Sequence, residues 1–305
     1  MRGKYALAFD IGGSKLVTGI IDGNGKVLAA VHTEWHELTE RSVIQEALRS
    51  GRDILSEFRD NIDCVGAAIP GLADPEKGVW IEACFSGIND VPVADILSEE
   101  FSVPVHIDND VNLCAVAEAY CGACKETNDF IWLQVSNGCG GALFIDGELC
   151  RGPFAGAGEL GHIVVEENGH ECKCGSRGCL EAHAAGPAIV RRYKESGGGA
   201  PVSGAGDVAG LATDGDPIAI QVFADTGRYL GKAVAAAVNT VNPGKVVIGG
   251  GVAQSYDLFE DTLLETVDRR IYKKANPELK IQKTEIGYYA PLIGAGVAAL
   301  GKAHE

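Results

Sequence analysis

Three cysteines and a histidine come together in the polar segment 158–181, which constrains the fold more than any other part of the sequence. The cysteines follow a C-x-C-x4-C pattern with glycines between them: Cys172, Cys174 and Cys179. Thiolates with one imidazole are a donor set that four-coordinate zinc prefers, and glycines let the chain fold around one ion. Spacing leaves both His162 and His170 open as the fourth ligand. We favour His162, because His170 is too close to Cys172 to wrap easily onto the same ion.

The alternative to a metal site is a buried thiol cluster or a disulfide, since cysteine often packs as a small apolar residue. Glycines between the cysteines, in a polar segment, disfavour core packing, so the sequence favours zinc. Four protein ligands would fill the coordination shell and leave no position for water. We therefore expect a structural zinc ion.

Length, composition and charge narrow the possible partners. A chain of 305 residues exceeds what one hydrophobic core usually covers, so we expect two lobes. No apolar run is long enough to cross a bilayer, and a net charge of −16 disfavours binding to nucleic acid. Asp10 precedes any signal-peptide apolar region, and the metal-like cysteines favour a reducing compartment. We expect a cytoplasmic protein without membrane or nucleic-acid partners.

Apolar runs of strand length alternate with segments of helical periodicity, which predicts an α/β protein with a mainly parallel sheet. We expect strands at 5–10, 16–22, 27–33, 64–69, 105–108, 130–135, 142–145 and 245–248, and helices at 42–58, 92–101, 111–120, from 217 to before Pro243, 256–275 and 294–303. The first lobe should end near residue 119.

Three glycine-rich turns each follow an apolar strand: Asp10–Ser14, Ser136–Gly141 and Gly249–Gly251. Glycine lets backbone N–H groups approach phosphate oxygens closely. A single turn of this kind is more often only a tight turn, but three at strand ends favour a nucleotide site. The stretch GGSKLVTGIIDG also resembles the later stretch GCGGALFIDG, which suggests an internal duplication of one phosphate-binding unit.

Candidate catalytic and binding side chains lie after the strand at 105–108 and beside the cysteines. A carboxylate in Asp108-Asn109-Asp110 could accept a hydroxyl proton and the amide could orient that hydroxyl, although helix capping is an alternative. Glu159 and His162, three residues apart, could together bind vicinal hydroxyls. Glu181 would be held in place by the last cysteine.

The chain resembles the ROK family of sugar kinases and sugar-responsive repressors. The resemblance lies in DIGGSK (10–15), DNDVN (108–112), AGELGH (157–162), CKCGSRGCLE (172–181) and VVIGGGV (246–252). It implies a two-lobed, actin-like ATPase fold related to ribonuclease H, with sugar and Mg-ATP in the cleft between the lobes. The lobes would be 1–119 and 120–289, with the C-terminal helix, 290–305, packed back on the first. Homodimers or homotetramers are implied as well.

The resemblance also implies a role for each matching residue. Asp110 would be the base that deprotonates a hydroxyl of a hexose or N-acetylhexosamine. The sugar would be bound by Asn109, Glu159, His162 and Glu181, and zinc by His162, Cys172, Cys174 and Cys179. The ATP phosphates would be bound by Gly12, Gly13, Ser14, Lys15, Asn137 and Gly138. Asp10 would lie near Mg2+ at this site, and Gly250 would lie near the adenosine.

Two departures from the family pattern bear on function. The second phosphate turn reads Ser136-Asn137-Gly138 where family kinases usually carry Gly-Thr-Gly, and the usual sugar-binding Asn is replaced within Cys84-Phe85-Ser86-Gly87-Ile88. We expect weaker ATP binding from the first departure, and the second puts glucose in doubt and leaves room for another hexose or an amino sugar. The alternative function is a sugar-binding or sensing protein with weak or no kinase activity. Family repressors carry a helix-turn-helix before these lobes, and the sequence offers no room for one before Asp10.

Overall fold

The computed structural model describes residues 4–13, 15–35, 39–58, 61–83 and 87–301. The chain divides into two compact units. The first unit comprises Met1–Asn128, Gly147–Ala157 and Glu285–Glu305, and the second comprises Asp129–Asp146 and Gly158–Thr284.

Strands, singly or in runs of up to four, are separated by helices along the described chain. In chain order they are β1 (Tyr5–Ile11), β2 (Lys15–Asp22), β3 (Val27–Glu34), α1 (Glu40–Glu57), β4 (Cys64–Ile69), β5 (Leu72–Asp74), β6 (Val79–Ala83), β7 (Ile88–Val91), α2 (Val93–Phe101), β8 (Val105–Asn109), α3 (Asp110–Cys121), β9 (Phe130–Val135), β10 (Cys139–Ile145), β11 (Glu148–Cys150), α4 (Leu180–Ala184), α5 (Gly186–Glu195), α6 (Ala205–Thr213), α7 (Pro217–Val241), β12 (Lys245–Gly249), α8 (Glu260–Arg270), β13 (Lys280–Lys283) and α9 (Ala290–Ala299), with 3-10 turns at Leu160–His162, Val252–Leu258 and Gly287–Tyr289.

The first unit has a mixed sheet in the order β3-β2-β1-β4-β8. β1 is antiparallel to β2 and parallel to β4, which is parallel to β8. The sequence predicted a mainly parallel sheet, and this is wrong for β1 to β3. The turn after β2 is too short for a parallel crossover. Asp22 closes it by accepting the N–H groups of Asn24 and Lys26, and Gly25 takes a φ of 78°.

The second unit repeats this arrangement. β10, β9, β12 and β13 lie side by side in this order; β9 is antiparallel to β10 and parallel to β12, which is parallel to β13. The two similar stretches of sequence include β2 and β10, the antiparallel partners of β1 and β9. The topology therefore agrees with an internal duplication.

The C-terminal helix α9 belongs to the first unit, where it packs against α3, β1 and β4. Glycines make this close approach feasible. A Cβ atom on Gly66 of β4 would lie 2.0 Å from the carbonyl oxygen of Ala295, and one on Gly294 would lie 1.8 Å from that of Leu113. α3 continues to Cys121, so the expected lobe boundary after residue 119 falls inside a helix. The units separate after Asn128 instead.

Several element boundaries differ from the sequence prediction. β10 begins at Cys139, so Gly140 and Gly141 lie in a strand and not in the turn before it. The helix expected at 256–275 is a 3-10 turn followed by α8, with non-helical backbone at Ser255. The sequence missed the small antiparallel sheet β5-β6-β7, whose strands are short. Among the described residues, no helix has the length and apolar character to span a membrane.

Candidate functional site

Three acidic residues gather where β1, β4 and β8 end. Asp10 pairs with Ala68 of β4, and Ala68 pairs with Asp108 of β8, so both aspartates lie at the same level of the sheet. Asp110 follows two residues later as the first residue of α3. The carboxyl ends of parallel strands are where open α/β sheets bind their ligands.

Asp108 is buried and its carboxylate is saturated with hydrogen bonds. Oδ2 accepts from Nε of Arg151 at 2.9 Å and from its Nη2 at 2.6 Å. Oδ1 accepts from the backbone N–H of Asn109 at 2.7 Å and from the Asn112 amide at 3.0 Å. With four donors on its two oxygens and almost no exposure, this carboxylate has little room to contact a substrate hydroxyl.

Asn109 is the N-cap of α3. Its Oδ1 accepts the N–H groups of Val111 and Asn112, and its Nδ2 donates to the carbonyl oxygen of Gly71 at 2.8 Å. The sequence left open whether an acid or the amide caps this helix, and the amide does so. One amide hydrogen of Asn109 remains for a ligand, while Asp110 is partly exposed beside it.

Asp10 carries the most strongly perturbed carboxyl group of this edge. Burial raises the pKa of Asp10 to about 7, and the negative charge of Asp110 adds to the rise, while Lys15 opposes it. Burial is also the main cause of a raised pKa at the Cys114 thiol on α3, and the charges of Asp110 and Asp10 raise that pKa further. The strand ends therefore concentrate negative charge, and a divalent cation would relieve it.

The first glycine turn is held to the sheet from two sides. The N–H of Gly12 donates to the carbonyl oxygen of Lys15 at 2.8 Å, and the indole of Trp35 donates to the carbonyl oxygen of Gly12 at 2.7 Å. Gly13 lies in the turn, and Ser14 lies outside the described residues. The Lys15 ammonium lies 4.1 Å from the centre of the Tyr288 ring. This contact is a cation–π pair, so reaching a phosphate would require Lys15 to leave it.

In the second unit, the turn Ser136–Gly138 packs against two other segments. A Cβ atom on Gly250 would lie 2.4 Å from the carbonyl oxygen of Val135, and Gly250 has a φ of 91°, so only glycine fits there. Asn137 is exposed at the tip. Glu181 Oε2 accepts the N–H of Cys139 at 3.0 Å, directly after the turn. This bond links a predicted sugar contact to the predicted phosphate turn.

Four side chains of the second unit form a compact cluster. Their ligand atoms all lie within 4.8 Å of one another: His162, Cys172, Cys174 and Cys179. Nδ1 of His162 is 3.7 Å from Sγ of Cys172, and Sγ of Cys174 is 3.7 Å from Sγ of Cys179. His170 lies elsewhere, with its Nε2 at 3.6 Å from Glu195.

The cluster geometry fits zinc. Sulfur atoms about 2.3 Å from one tetrahedral ion would be roughly 3.8 Å apart, close to the separation of Cys174 and Cys179. Burial raises the pKa of the Cys172 thiol to about 12 and also raises that of Cys179. The pKa of Cys174 is lowered instead, chiefly by a hydrogen bond from the backbone of Ser176. Thiolates at Cys172 and Cys179 would therefore need a nearby cation at neutral pH, which a metal supplies.

The predicted sugar contacts Glu159, His162 and Glu181 include one member of the cluster, His162. Oε2 of Glu159 is 3.8 Å from Nε2 of His162, whose Nδ1 faces Cys172. Glu159 and His162 are both well exposed, whereas Glu181 is held by Cys139. If Nδ1 binds a metal, Nε2 and the two carboxylates remain available to hydrogen-bond a polyhydroxylated ligand.

Comparison with known proteins gives the family. The model of the ROK family matches residues 6–302. The chain belongs to the ROK family. It is 29% identical to the glucokinase of Halalkalibacterium halodurans, over 97% of this chain and 95% of that protein. It is 27% identical to the N-acetylglucosamine repressor of Shigella flexneri, over 94% of this chain and 73% of that protein.

A solved ROK structure has the same fold. The ROK family glucokinase from Streptomyces griseus, in complex with glucose and AMPPNP, superposes with a TM-score of 0.86 at 27% identity, covering 98% of this chain and 99% of that one. This match confirms the predicted α/β fold of the actin-like ATPase type. The relatives of this ROK chain include both sugar kinases and repressors.

Sequence reasoning missed Arg151 and the saturation of Asp108. One signal was available: Arg151 is the only lysine or arginine between Lys125 and Lys173. In such an acidic ROK chain, an isolated cation is well suited to pair with a buried acid. The position of the usual sugar-binding Asn, at 84–86, lies outside the described residues.

Proposed function

We propose that this chain is an ATP-dependent sugar kinase that phosphorylates a hydroxyl of a hexose or an N-acetylhexosamine, with Asp110 as the general base. The observation that carries the proposal is the contrast within the Asp108–Asp110 segment. Asp108 is almost fully buried, and both of its oxygens are occupied by Arg151, Asn112 and the backbone, while Asp110, whose Oδ1 accepts the N–H of Val111, is partly exposed at the strand ends. The match to a glucokinase over nearly its whole length supports the same function.

In the proposed reaction, the sugar hydroxyl transfers its proton to the Asp110 carboxylate as its oxygen attacks the γ-phosphorus of ATP. The bond between the γ-phosphorus and the bridging oxygen breaks, and ADP leaves with the electron pair. Asn109 uses its remaining amide hydrogen to orient the hydroxyl. When bound, Mg2+ supplies positive charge to the phosphates near Asp10. In the first turn, the phosphates contact Gly12, Gly13, Ser14 and Lys15.

The remaining roles follow the residues of the second unit. Asn137 and Gly138 contact phosphates, and Gly250 lies near the adenosine. Glu159, His162 and Glu181 bind sugar hydroxyls. A structural zinc on His162 and the three cysteines would orient the imidazole, and the bond from Cys139 orients Glu181.

A second candidate is a sugar-binding or sensing protein with weak or no kinase activity. The exposed turn Ser136-Asn137-Gly138, in place of the kinase pattern Gly-Thr-Gly, favours it. The similarity to an N-acetylglucosamine repressor is consistent with it. Such a protein would bind a sugar, and ATP weakly, without phosphoryl transfer.

The test is ADP production by the purified protein with Mg-ATP and a panel of sugars: glucose, fructose, mannose, allose, N-acetylglucosamine and N-acetylmannosamine. Reactions without sugar and without Mg2+ serve as controls. A sugar-dependent signal establishes the kinase and identifies its substrate class. ATP and sugar binding without ADP formation establishes the second candidate. We also propose a cytoplasmic homodimer or homotetramer, to be checked by light scattering.

A further inference from the structure

Arg151 joins two segments of the first unit that are far apart in sequence. Its guanidinium donates twice to Oδ2 of Asp108, and the shorter contact is 2.6 Å. Asp108 is almost fully buried, and the Arg151 side chain is only 27% exposed. A charge-assisted contact of this kind, with little exposure to water, is far less screened than a surface ion pair.

The segment that carries Arg151 is a closed loop. The carbonyl oxygen of Arg151 accepts the N–H of Ala157 at 3.0 Å, which closes the base of the loop. Gly152 and Ala155 have positive φ, which tightens it. The chain continues directly from Ala157 into Gly158 and Glu159. Arg151 thus fixes the start of the segment that carries the proposed sugar contacts.

On the other side, Asp108 fixes the start of α3. Its Oδ1 accepts the N–H of Asn109 and the side-chain amide of Asn112. Asn109 in turn caps α3, whose first residue is Asp110. A chain of hydrogen bonds therefore runs from Arg151 through Asp108 to Asn109 and Asn112, and Asp110 lies between these two residues in the sequence.

We propose that Arg151 is a positioning residue that joins the loop 151–157, which leads along the chain to the proposed sugar contacts, to the segment that carries Asp110. This inference rests on the proposed kinase function. Arg151 contacts Asp108 and no reacting atom. It would act by orienting the groups that bind the sugar and accept its proton, and phosphoryl transfer is sensitive to that orientation.

Hydrogen–deuterium exchange tests, without any ligand, whether the contact between Arg151 and Asp108 holds the two segments in place. In Arg151→Gln, amide exchange should accelerate on the order of tenfold in the peptides covering 109–112 and 152–157, because a charge-assisted bond is lost. Arg52→Gln is the matched control, since Arg52 forms an ion pair with Glu100 on the exposed surface of the same unit. That variant should exchange like the wild type. Wild-type exchange in both segments of Arg151→Gln would overturn the inference.

Steady-state kinetics tests the positioning role. Arg151→Gln should lower kcat on the order of 100-fold and raise the KM for the sugar, with the KM for ATP unchanged. A purely structural role would reduce only the amount of active enzyme and leave both KM values unchanged. That result, or wild-type kinetics despite faster exchange, would overturn the inference.

Leaving Asp108 buried and unpaired could prevent Arg151→Gln from folding, and two further variants address this. Arg151→Lys keeps the charge with one donor and should have intermediate kcat. In the double variant Asp108→Asn with Arg151→Gln, the new amide at position 108 can donate to the new side-chain oxygen at position 151 without a buried charge. It should recover roughly tenfold in kcat over Arg151→Gln; a double variant no better than the single one contradicts the proposal. If the wild type phosphorylates no sugar, the proposed kinase function fails. The exchange data then still show whether Arg151 holds the segments 109–112 and 152–157 in place.

Discussion

At the strand ends of the first unit and in the cysteine–histidine cluster of the second, ionisable groups lie close together and partly shielded from water. The two regions differ in the source of the positive charge that stabilises these groups. Asp108 obtains its counter-charge from Arg151. The four donors of the cluster lie within 4.8 Å of one another and fit a metal as their counter-charge. One part of the candidate site is thus completed by the chain, and the other would be completed by an ion.

The comparison also separates the three acids of the first unit. Asp108 has a cationic partner, whereas the pKa of Asp10 is raised to about 7 by burial and by the charge of Asp110. A carboxyl group in this condition gains most from an added cation. This difference is the basis for proposing a structural role for Asp108, a position near Mg2+ for Asp10, and the role of base for Asp110.

The largest effect should come from removing a cluster ligand. Cys179→Ser should lose bound zinc and more than about 4 kcal/mol of unfolding free energy, because loss of a structural metal is among the most destabilising changes. Zinc content by mass spectrometry and urea denaturation measure this. Cys121→Ser, in the first unit, is the matched control and should keep zinc. Wild-type stability and no zinc in the purified wild type would contradict a metal-completed cluster.

Asp10→Asn should change how stability depends on pH. The folded pKa of about 7 lies above the ordinary value of 3.8, so the folded state holds this proton more tightly. The stability from this group is full below about pH 4 and is lost as pH rises through about 7. The variant should be more stable than the wild type by about 2 to 4 kcal/mol at pH 8 and no more stable at pH 4. Parallel pH profiles of the two proteins in urea unfolding would refute the assignment.

Glu181→Gln should have a moderate effect. The glutamine oxygen can still accept the N–H of Cys139, so the turn keeps its geometry, but the charge of the proposed sugar contact is lost. We expect the KM for the sugar to rise on the order of tenfold, with the KM for ATP unchanged. Separate titrations of sugar and ATP measure the two values. An equal rise in both would place Glu181 in the phosphate turn and not at the sugar.

The smallest effect should come from Arg177→Gln. Arg177 forms an ion pair with Glu171 beside the cluster, and both side chains are largely exposed. Such pairs contribute less than about 1 kcal/mol because water screens them. Zinc content and the urea midpoint should stay close to the wild-type values. A large loss of zinc would show that the cluster depends on its surface as well as on its four ligands.

Much of the fold could be predicted from the sequence, because strands such as β4 and β9 are apolar runs bounded by turns. The turn at Asp22–Gly25 and the three strands around it were also predictable, but the prediction of a mainly parallel sheet did not include their antiparallel pairing. β5, β6 and β7 are too short for a periodic signal. The predicted lobe boundary after residue 119 stays a prediction; the compact units divide after Asn128, and no local sequence pattern indicates that Gly147–Ala157 belongs to the first unit.

The parts of the candidate site built from residues close together in the sequence were predictable. The contacts between residues far apart in the sequence were not. The cysteine spacing predicts a cluster, and His162 lies with the three cysteines. The pairing of Asp108 with Arg151 spans 43 residues and has no local pattern. The same holds for the bond between Glu181 and Cys139, which only folding brings together.

The most direct test of the central claim compares Asp110→Asn with the wild type, using the sugar identified in the panel. Sugar binding is measured by calorimetry, and sugar phosphate formed from Mg-ATP is measured by mass spectrometry. We predict that the variant binds the sugar with nearly the wild-type Kd and loses turnover on the order of 1,000-fold, as expected when a general base is removed. Retained turnover in the variant would contradict the assignment of Asp110 as the base and the proposed mechanism with it.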